Sequence, residues 1–198
     1  EPSDINEHLE TLSDYARKST SVTEFGVRKG LSSIAFLHGL AKNPNASKML
    51  TSYDIAPSPN YEVWSTHATS SGIDFKFHIQ SSLECSIDET DILFIDSLHC
   101  YGQLLRELRI HHSKVGQFLI MHDTELFGDE SEIKKMPFRW SNPKKPENLD
   151  LIRRLNFDEY ELNTGLWPAI VDFLSVNPDW RLEQRLTNNN GLTVLTRR

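Results

Sequence analysis

The run Ile92-Leu93-Phe94-Ile95 constrains this chain more than any other stretch. Its continuous apolar character, cut off at Asp96, is that of a strand buried on both faces, a situation found in parallel sheets covered by helices on each side. His99, Tyr101 and Gly102 follow, and then Leu104, Leu105 and Leu108 at helical spacing. In open sheets of this kind ligands bind beyond the carboxyl ends of the strands, so Asp96 and His99 stand where chemistry is done. An Asp after a strand also serves as a plain helix cap, and that reading stays open for Asp96 taken alone. A second stretch of the same form, Phe118 to Glu125, ends in His122-Asp123. Two such strand ends side by side can hold a metal ion.

The remaining pattern supplies the rest of an α/β chain. Ile5, Leu9, Leu12 and Ala16 predict a leading helix over 4–16, with Ser3 or Asp4 available as its cap. Ser21 to Gly30 reads as a strand entering a glycine-punctuated turn, and Leu31 to Leu40 as a helix that Asn43-Pro44 ends. Strands are expected at Lys48–Ile55 and Asp74–Ser82, with a helix between them over Tyr61–Ser71. A helix over about 102–113 then leads into a strand at 116–123. His111 and His112 near the end of that helix are expected on a solvated face, where a cation suits the helix dipole. Residues 126–147 are polar and irregular, which suggests an inserted lid whose Trp140, Arg139 and lysines (Lys134, Lys135, Lys144 and Lys145) suit a polar substrate. Short helices at 149–155 and from Gly165 through Leu174 follow, and then two strands, Trp180–Leu186 and Leu192–Thr196, joined by an Asn-rich turn. The expected order is five strand–helix units and a terminal hairpin, a mostly parallel sheet with an antiparallel edge.

The turn after the first strand has the form E-x-G-x-x-x-G, from Glu24 through Gly26 to Gly30. Glycines there let the backbone approach a ligand, and the following helix start offers free N–H groups. This differs from the G-x-G-x-x-G of dinucleotide-binding folds, which wraps a pyrophosphate; the acid-led form is the first motif of class I S-adenosylmethionine (SAM) methyltransferases. Asp54, at the end of the second strand, lies where such folds place a carboxylate to accept ribose hydroxyls, although a turn aspartate in a proline-rich segment reads the same way. Gln80, Ser81 and Ser82, at the end of the third strand, are candidates to touch the adenine or methionine part of a cofactor.

Composition narrows the class. At 198 residues the chain is one domain, 1–198, with 38% hydrophobic and 25% charged residues as in ordinary globular proteins. A net charge of −7 argues against a nucleic-acid surface. No apolar run reaches the roughly 20 residues that span a bilayer, and no signal peptide opens the chain, so no membrane partner is expected. Cys85 and Cys100 form no metal or disulfide framework, which favours a reducing, cytoplasmic setting. A start at Glu1 suggests a trimmed chain or a domain of a longer one.

Taken together, EFGVRKG, the acid of TSYDI, FIDSLHCYGQL, LIMHDT and the closing GLWPAI and NNNGLTVL resemble the metal-dependent SAM O-methyltransferases of the macrocin and mycinamicin type, a group that includes cephalosporin-hydroxylase-like proteins. Within it the chain resembles the small glycan methyltransferases of chlorella viruses. The resemblance implies a Rossmann-like class I methyltransferase fold and methyl transfer from SAM to a sugar hydroxyl, with rhamnose in a glycan as the expected acceptor. It implies that Glu24, Gly26 and Gly30 shape the SAM pocket, that Asp54 holds the ribose, and that His99 is the general base. Asp96 and Asp123 become ligands of a divalent metal, Mn²⁺ or Mg²⁺. His122 stands where the family carries an acid; it is either a third ligand, which suits Mn²⁺, Fe²⁺ or Zn²⁺ better than Mg²⁺, or points elsewhere. A homodimer, fusion to glycosyltransferase domains and, for a viral protein, the host cytoplasm are compatible with the resemblance. A catechol-type O-methyltransferase, a nucleotide-cofactor oxidoreductase and a non-catalytic binding domain are the competing readings.

Overall fold

A computed structural model describes residues 4–45, 47–140 and 146–198, without the side chains of 146–149. Its centre is a seven-stranded sheet in the order β3-β2-β1-β4-β5-β7-β6. The strands are β1 (Ser21–Phe25), β2 (Met49–Asp54), β3 (Asp74–Ile79), β4 (Thr90–Ile95), β5 (Val115–His122), β6 (Trp180–Leu186) and β7 (Leu192–Arg197). β1 to β5 pair in parallel, and β7 runs antiparallel between β5 and β6. The expected mostly parallel sheet with a closing hairpin is therefore present.

Side chains alternate between two cores, as the period of a strand requires. Along β4, Ile92 and Phe94 enter the core with Leu12, Phe36, Leu40 and Trp64, while Leu93 and Ile95 enter the one with Leu104, Leu108, Ile170 and Phe173. Helices α1 (Leu9–Arg17), α2 (Leu31–Lys42) and α3 (Tyr61–Ser70) contribute to the first core. Helix α4 (Tyr101–His111) and the late helix Leu166–Val176 contribute to the second. Ile92, Leu93 and Phe94 have no exposed surface, and each such side chain contributes roughly 1.5–3 kcal/mol relative to exposure. A continuous apolar run is thus the signature of a strand with a core on each side.

Several elements differ from expectation. No helix joins β3 to β4 among the described residues; residues 80–89 cross as a loop, and buried Cys85 and Ile87 fill the second core in its place. The leading segment opens with a 3-10 turn at Asn6–His8, and α1 has no side-chain cap; Asp4 instead pairs with Arg28 at 3.2 Å. His111 is not on a solvated face. It is 1% exposed, its Nε2 lies 2.7 Å from the Ser82 carbonyl, and burial lowers its pKa, so the neutral ring packs against Phe25.

The segment expected as an irregular insertion is partly helical. It holds α5 (Glu132–Lys135), capped by Ser131, α6 (Pro137–Trp140), and the start of α7 (Pro146–Leu155); α8 (Glu159–Asn163) and α9 (Leu166–Val176) follow. Residues 141–145, including Lys144 and Lys145, lie outside the described residues. No helix of the described residues is long and apolar enough to cross a membrane.

Candidate active site at the carboxyl ends of the strands

The parallel pairing sets the site's geometry before any side chain is considered. Phe25 pairs with Ile95, and Ile95 with Met121, so the residues that follow leave the sheet next to one another: Gly26, Asp96 and His122-Asp123. The Asp96 N–H donates to the Phe25 carbonyl at 2.8 Å, which carries the alignment one residue beyond the strands. Gly26 is required there, because at φ +82° a Cβ would lie 2.1 Å from the Asp96 carbonyl oxygen. Asp123 also adopts a left-handed backbone, at φ 59°, which an aspartate tolerates better than most residues.

A cavity of about 320 Å³ opens over these ends. On one side it meets Gly26, Asp54, Gln80, Ser81 and Ser82; on the other, Asp96, His99 and Asp123. Asp54 steadies the glycine turn, with Oδ2 accepting the N–H groups of Val27 at 2.8 Å and Arg28 at 3.0 Å. Gly30 lies outside this cavity, in a neighbouring hollow lined also by Arg28 and Ser32. Glu24 lines neither; it is fully buried beneath the turn and accepts hydrogen bonds from Ser32, Ser33 and Ser52. Burial outweighs those bonds and pushes its pKa up to about 7. Ser82 donates to the buried Glu107 carboxylate at 2.5 Å, and Ser97 and Gln103 donate to it as well.

His99 sits among carboxylates. Its Nε2 is 3.1 Å from Asp96 Oδ1 and 3.1 Å from Asp123 Oδ2, and its Nδ1 is 3.0 Å from Glu132 Oε2. Burial opposes a charge on this ring, but Asp123, Asp96 and Glu132 outweigh it and hold the pKa well above the usual histidine value. Burial likewise opposes ionisation of Asp96, yet His122 and His99 hold its carboxyl far below the ordinary range. Asp123 goes the other way, because burial raises it more than the two imidazoles lower it. The two carboxyls are thus shifted in opposite directions, Asp96 down by the imidazoles and Asp123 up by burial.

His122 is 1% exposed and lies behind this group. Its Nδ1 is 3.5 Å from Asp96 Oδ1, and its Nε2 is 3.2 Å from the Asp4 carbonyl. Among the described residues, the side chains with one ligand atom each within 4.8 Å of one another are Asp96, His99 and Asp123. Two carboxylates and an imidazole at such spacing fit a divalent cation, and the buried Asp123 Oδ1, which has no hydrogen-bond partner, is a spare donor for one.

Sequence reasoning missed Glu132, Glu107 and Asn190. Glu132 is buried, and Arg139 holds its Oε1 at 2.5 Å. Asn190, at the tip of the β6–β7 hairpin, lines the cavity and donates to the Asp123 carboxylate. The helix-start pattern of Ser131-Glu132 was readable, but not the partner it brings to His99.

No family model matches the sequence, and no curated protein matches it either. Solved structures do match its fold. The SAH-bound methyltransferase PaMTH1 of Podospora anserina aligns at a TM-score of 0.56 and 12% identity, covering 100% of this chain and 89% of that one. Cofactor-bound Rv0187 from MTB aligns at 0.57 and 12% identity, covering 97% and 80%. The O-methyltransferase TomG of Streptomyces achromogenes, involved in tomaymycin synthesis and solved with SAM, aligns at 0.55 and 13% identity, covering 96% and 79%. The chain has the Rossmann-like class I methyltransferase fold, a mostly parallel sheet closed by a carboxyl-terminal hairpin.

Proposed function

We propose that the chain is a SAM-dependent O-methyltransferase that methylates a sugar hydroxyl. The observation that carries this reading is a single cavity lined by the glycine turn and Asp54 on one side and by Asp96, His99 and Asp123 on the other. Neighbours of the same fold were solved with SAM or SAH, and the sugar acceptor rests on the sequence resemblance.

The roles follow the positions. Glu24 fixes Ser32 and Ser33 at the start of α2, which steadies the turn in which Gly26 and Gly30 have positive φ, with Gly26 lining the cavity. Asp54 would hold the ribose, and Gln80, Ser81 and Ser82, which line the same cavity, would touch the adenine or the methionine part. SAM supplies an electrophilic sulfonium methyl. With a cation on Asp96 and Asp123 those carboxylates would no longer hold the ring protonated, and His99 Nε2 would then take the proton of the attacking hydroxyl, a contribution of roughly 10²–10⁴-fold, while Glu132 at Nδ1 fixes the ring and its tautomer. Asp96 and Asp123 would hold a divalent cation, with His122 behind them, and the chemistry such an ion would supply there is the acidification of a bound hydroxyl.

One observation favours a second assignment within the same reaction. The ligand-forming group includes His99 rather than His122, so His99 Nε2 serves equally as a third metal ligand oriented by Glu132. A nitrogen that ligates cannot also accept the proton, and the two roles separate in metal titrations of a His99 variant.

Titration calorimetry with SAM, SAH and NAD tests the reading. Micromolar binding of SAM and SAH without NAD binding supports it. Binding of NAD alone points to an oxidoreductase, and no binding of any of them to an inert domain. A catechol acceptor in place of a sugar is resolved only by acceptor screening.

A further inference from the structure

The carboxylate of Glu107 is fully buried and has no part in the roles above. It sits on α4 one turn beyond Gln103 and accepts from three side chains. Ser82 donates to its Oε1 at 2.5 Å, the Gln103 amide nitrogen donates to the same oxygen at 2.8 Å, and Ser97 donates to Oε2 at 2.9 Å. The Gln103 nitrogen also donates to Ser82 Oγ at 3.1 Å.

This wiring sets the polarity of what faces the cavity. A carboxylate only accepts, so Gln103 turns its nitrogen inward, and both amide hydrogens are spent on Glu107 and Ser82. Its Oε1 accepts no hydrogen bond among the described residues, yet it is not sealed off. Gln103 is 5% exposed and lines the cavity, so that oxygen's open surface belongs to the cavity. Ser82 has given its own hydrogen to Glu107. Ser81 keeps a hydroxyl hydrogen, but a hydroxyl rotates and serves donors and acceptors alike. The fixed group at this end is therefore an acceptor.

The sheet order assigns this end to the base of the cofactor. Asp54 ends β2, and the acid cluster follows β4 and β5, with β3 at the opposite edge. In SAM the sulfonium is carried on C5′ and the base on C1′, on opposite sides of the ribose. With the ribose at Asp54 and the sulfonium toward the acid cluster, the base extends toward the loop after β3, where Ser82 meets Gln103.

We propose that Gln103 Oε1 accepts a hydrogen from the 6-amino group of adenine, and that Glu107, by holding the amide in one orientation, makes the site select adenine over 6-oxopurines. The inference rests on the SAM reading and adds to it the residue that reads the base. A 6-oxopurine sets oxygen against oxygen and leaves both unpaired in a dry site, which is how a hydrogen-bonding pocket rejects a near-isostere. Gln103 is the specificity-determining residue and Glu107 its positioning residue.

The test compares SAH with S-inosylhomocysteine, which differs from it only at C6 and N1 of the purine, by titration calorimetry. Wild-type protein is expected to bind SAH at least tenfold more tightly. Gln103→Met keeps the bulk of the side chain and removes the acceptor. It is expected to weaken SAH at least tenfold and leave S-inosylhomocysteine nearly unchanged, so the ratio closes. Glu107→Gln frees the amide to turn over and is expected to narrow the same ratio with every cavity-lining residue in place. A merely structural role would weaken both ligands together and leave the ratio as it was, and circular dichroism reports that each variant is folded. Equal affinities in the wild type, or a ratio unmoved in either folded variant, would overturn the inference while leaving SAM binding intact. A wild type that binds neither ligand would overturn the SAM reading, and this inference with it.

Discussion

His99 and Glu132 are joined at two points. The His99 Nδ1 lies 3.0 Å from Glu132 Oε2, and the Glu132 N–H donates to the His99 carbonyl at 2.8 Å. One residue therefore fixes both the ring and the backbone of the other, and leaves Nε2 turned to Asp96 and Asp123. Glu132 also begins α5, so the position of the segment over the cavity and the orientation of His99 are mechanically one property.

Glu132→Gln keeps the shape of the side chain and removes its charge. Turnover is expected to fall about 10–100-fold, with SAH affinity unchanged because Asp54 and the glycine turn are untouched. Steady-state kinetics beside SAH calorimetry make the comparison; parallel losses in both would mean that Glu132 serves the fold rather than His99.

His99→Ala separates base from ligand. A general base lost without its metal lowers kcat by roughly 10²–10⁴-fold and leaves Mn²⁺ affinity as in the wild type. A lost ligand weakens Mn²⁺ binding together with kcat. Asp96→Asn and Asp123→Asn are expected to weaken Mn²⁺ binding under either role, as read by Mn²⁺ titration.

Glu24 links stability to pH. Its pKa is raised to about 7 in the folded chain by burial, so the folded state binds the proton more tightly than the unfolded state does. The associated stability is fully present below the ordinary glutamate range and is lost as pH rises through about 7. Urea denaturation at pH 5 and pH 8 is expected to show the wild type losing on the order of 3 kcal/mol relative to Glu24→Gln across that interval. Equal pH dependence in both proteins would remove Glu24 as the cause.

Asp54→Ala takes away the acceptor for the Val27 and Arg28 N–H groups. An unsatisfied donor costs about 1–3 kcal/mol when buried, and the glycine turn loosens where the cofactor is to lie. SAH affinity is expected to drop at least tenfold while Mn²⁺ binding holds. Unchanged SAH binding would show that the turn keeps its shape without Asp54.

Much of this arrangement was legible because it is written in local periodicity. Ile92 to Ile95 declares a doubly buried strand, and the break at Asp96 places a carboxylate at its end. Glu24-x-Gly26 and the Asn-rich turn before β7 are likewise local signals. What was missed depends on distant partners. His111 looks like a solvated cation from its place near a helix end, but the loop after β3 folds over it and supplies the Ser82 carbonyl. The β3–β4 crossing has no helix because Cys85 and Ile87 fill the core from a loop, which leaves no helical period to read. Glu132 reaches His99 across 33 residues, and Asn190 reaches Asp123 from the far hairpin.

Methyl transfer itself is the most direct measurement. Purified protein with methyl-labelled SAM, Mn²⁺ and a panel of neutral glycosides is expected to yield a labelled sugar methyl ether, reduced at least 100-fold in His99→Ala, consistent with a base or ligand at the reacting oxygen. SAH binding without transfer to any hydroxyl acceptor, with Mn²⁺, with Mg²⁺ and with neither, would contradict methyl transfer at this cavity.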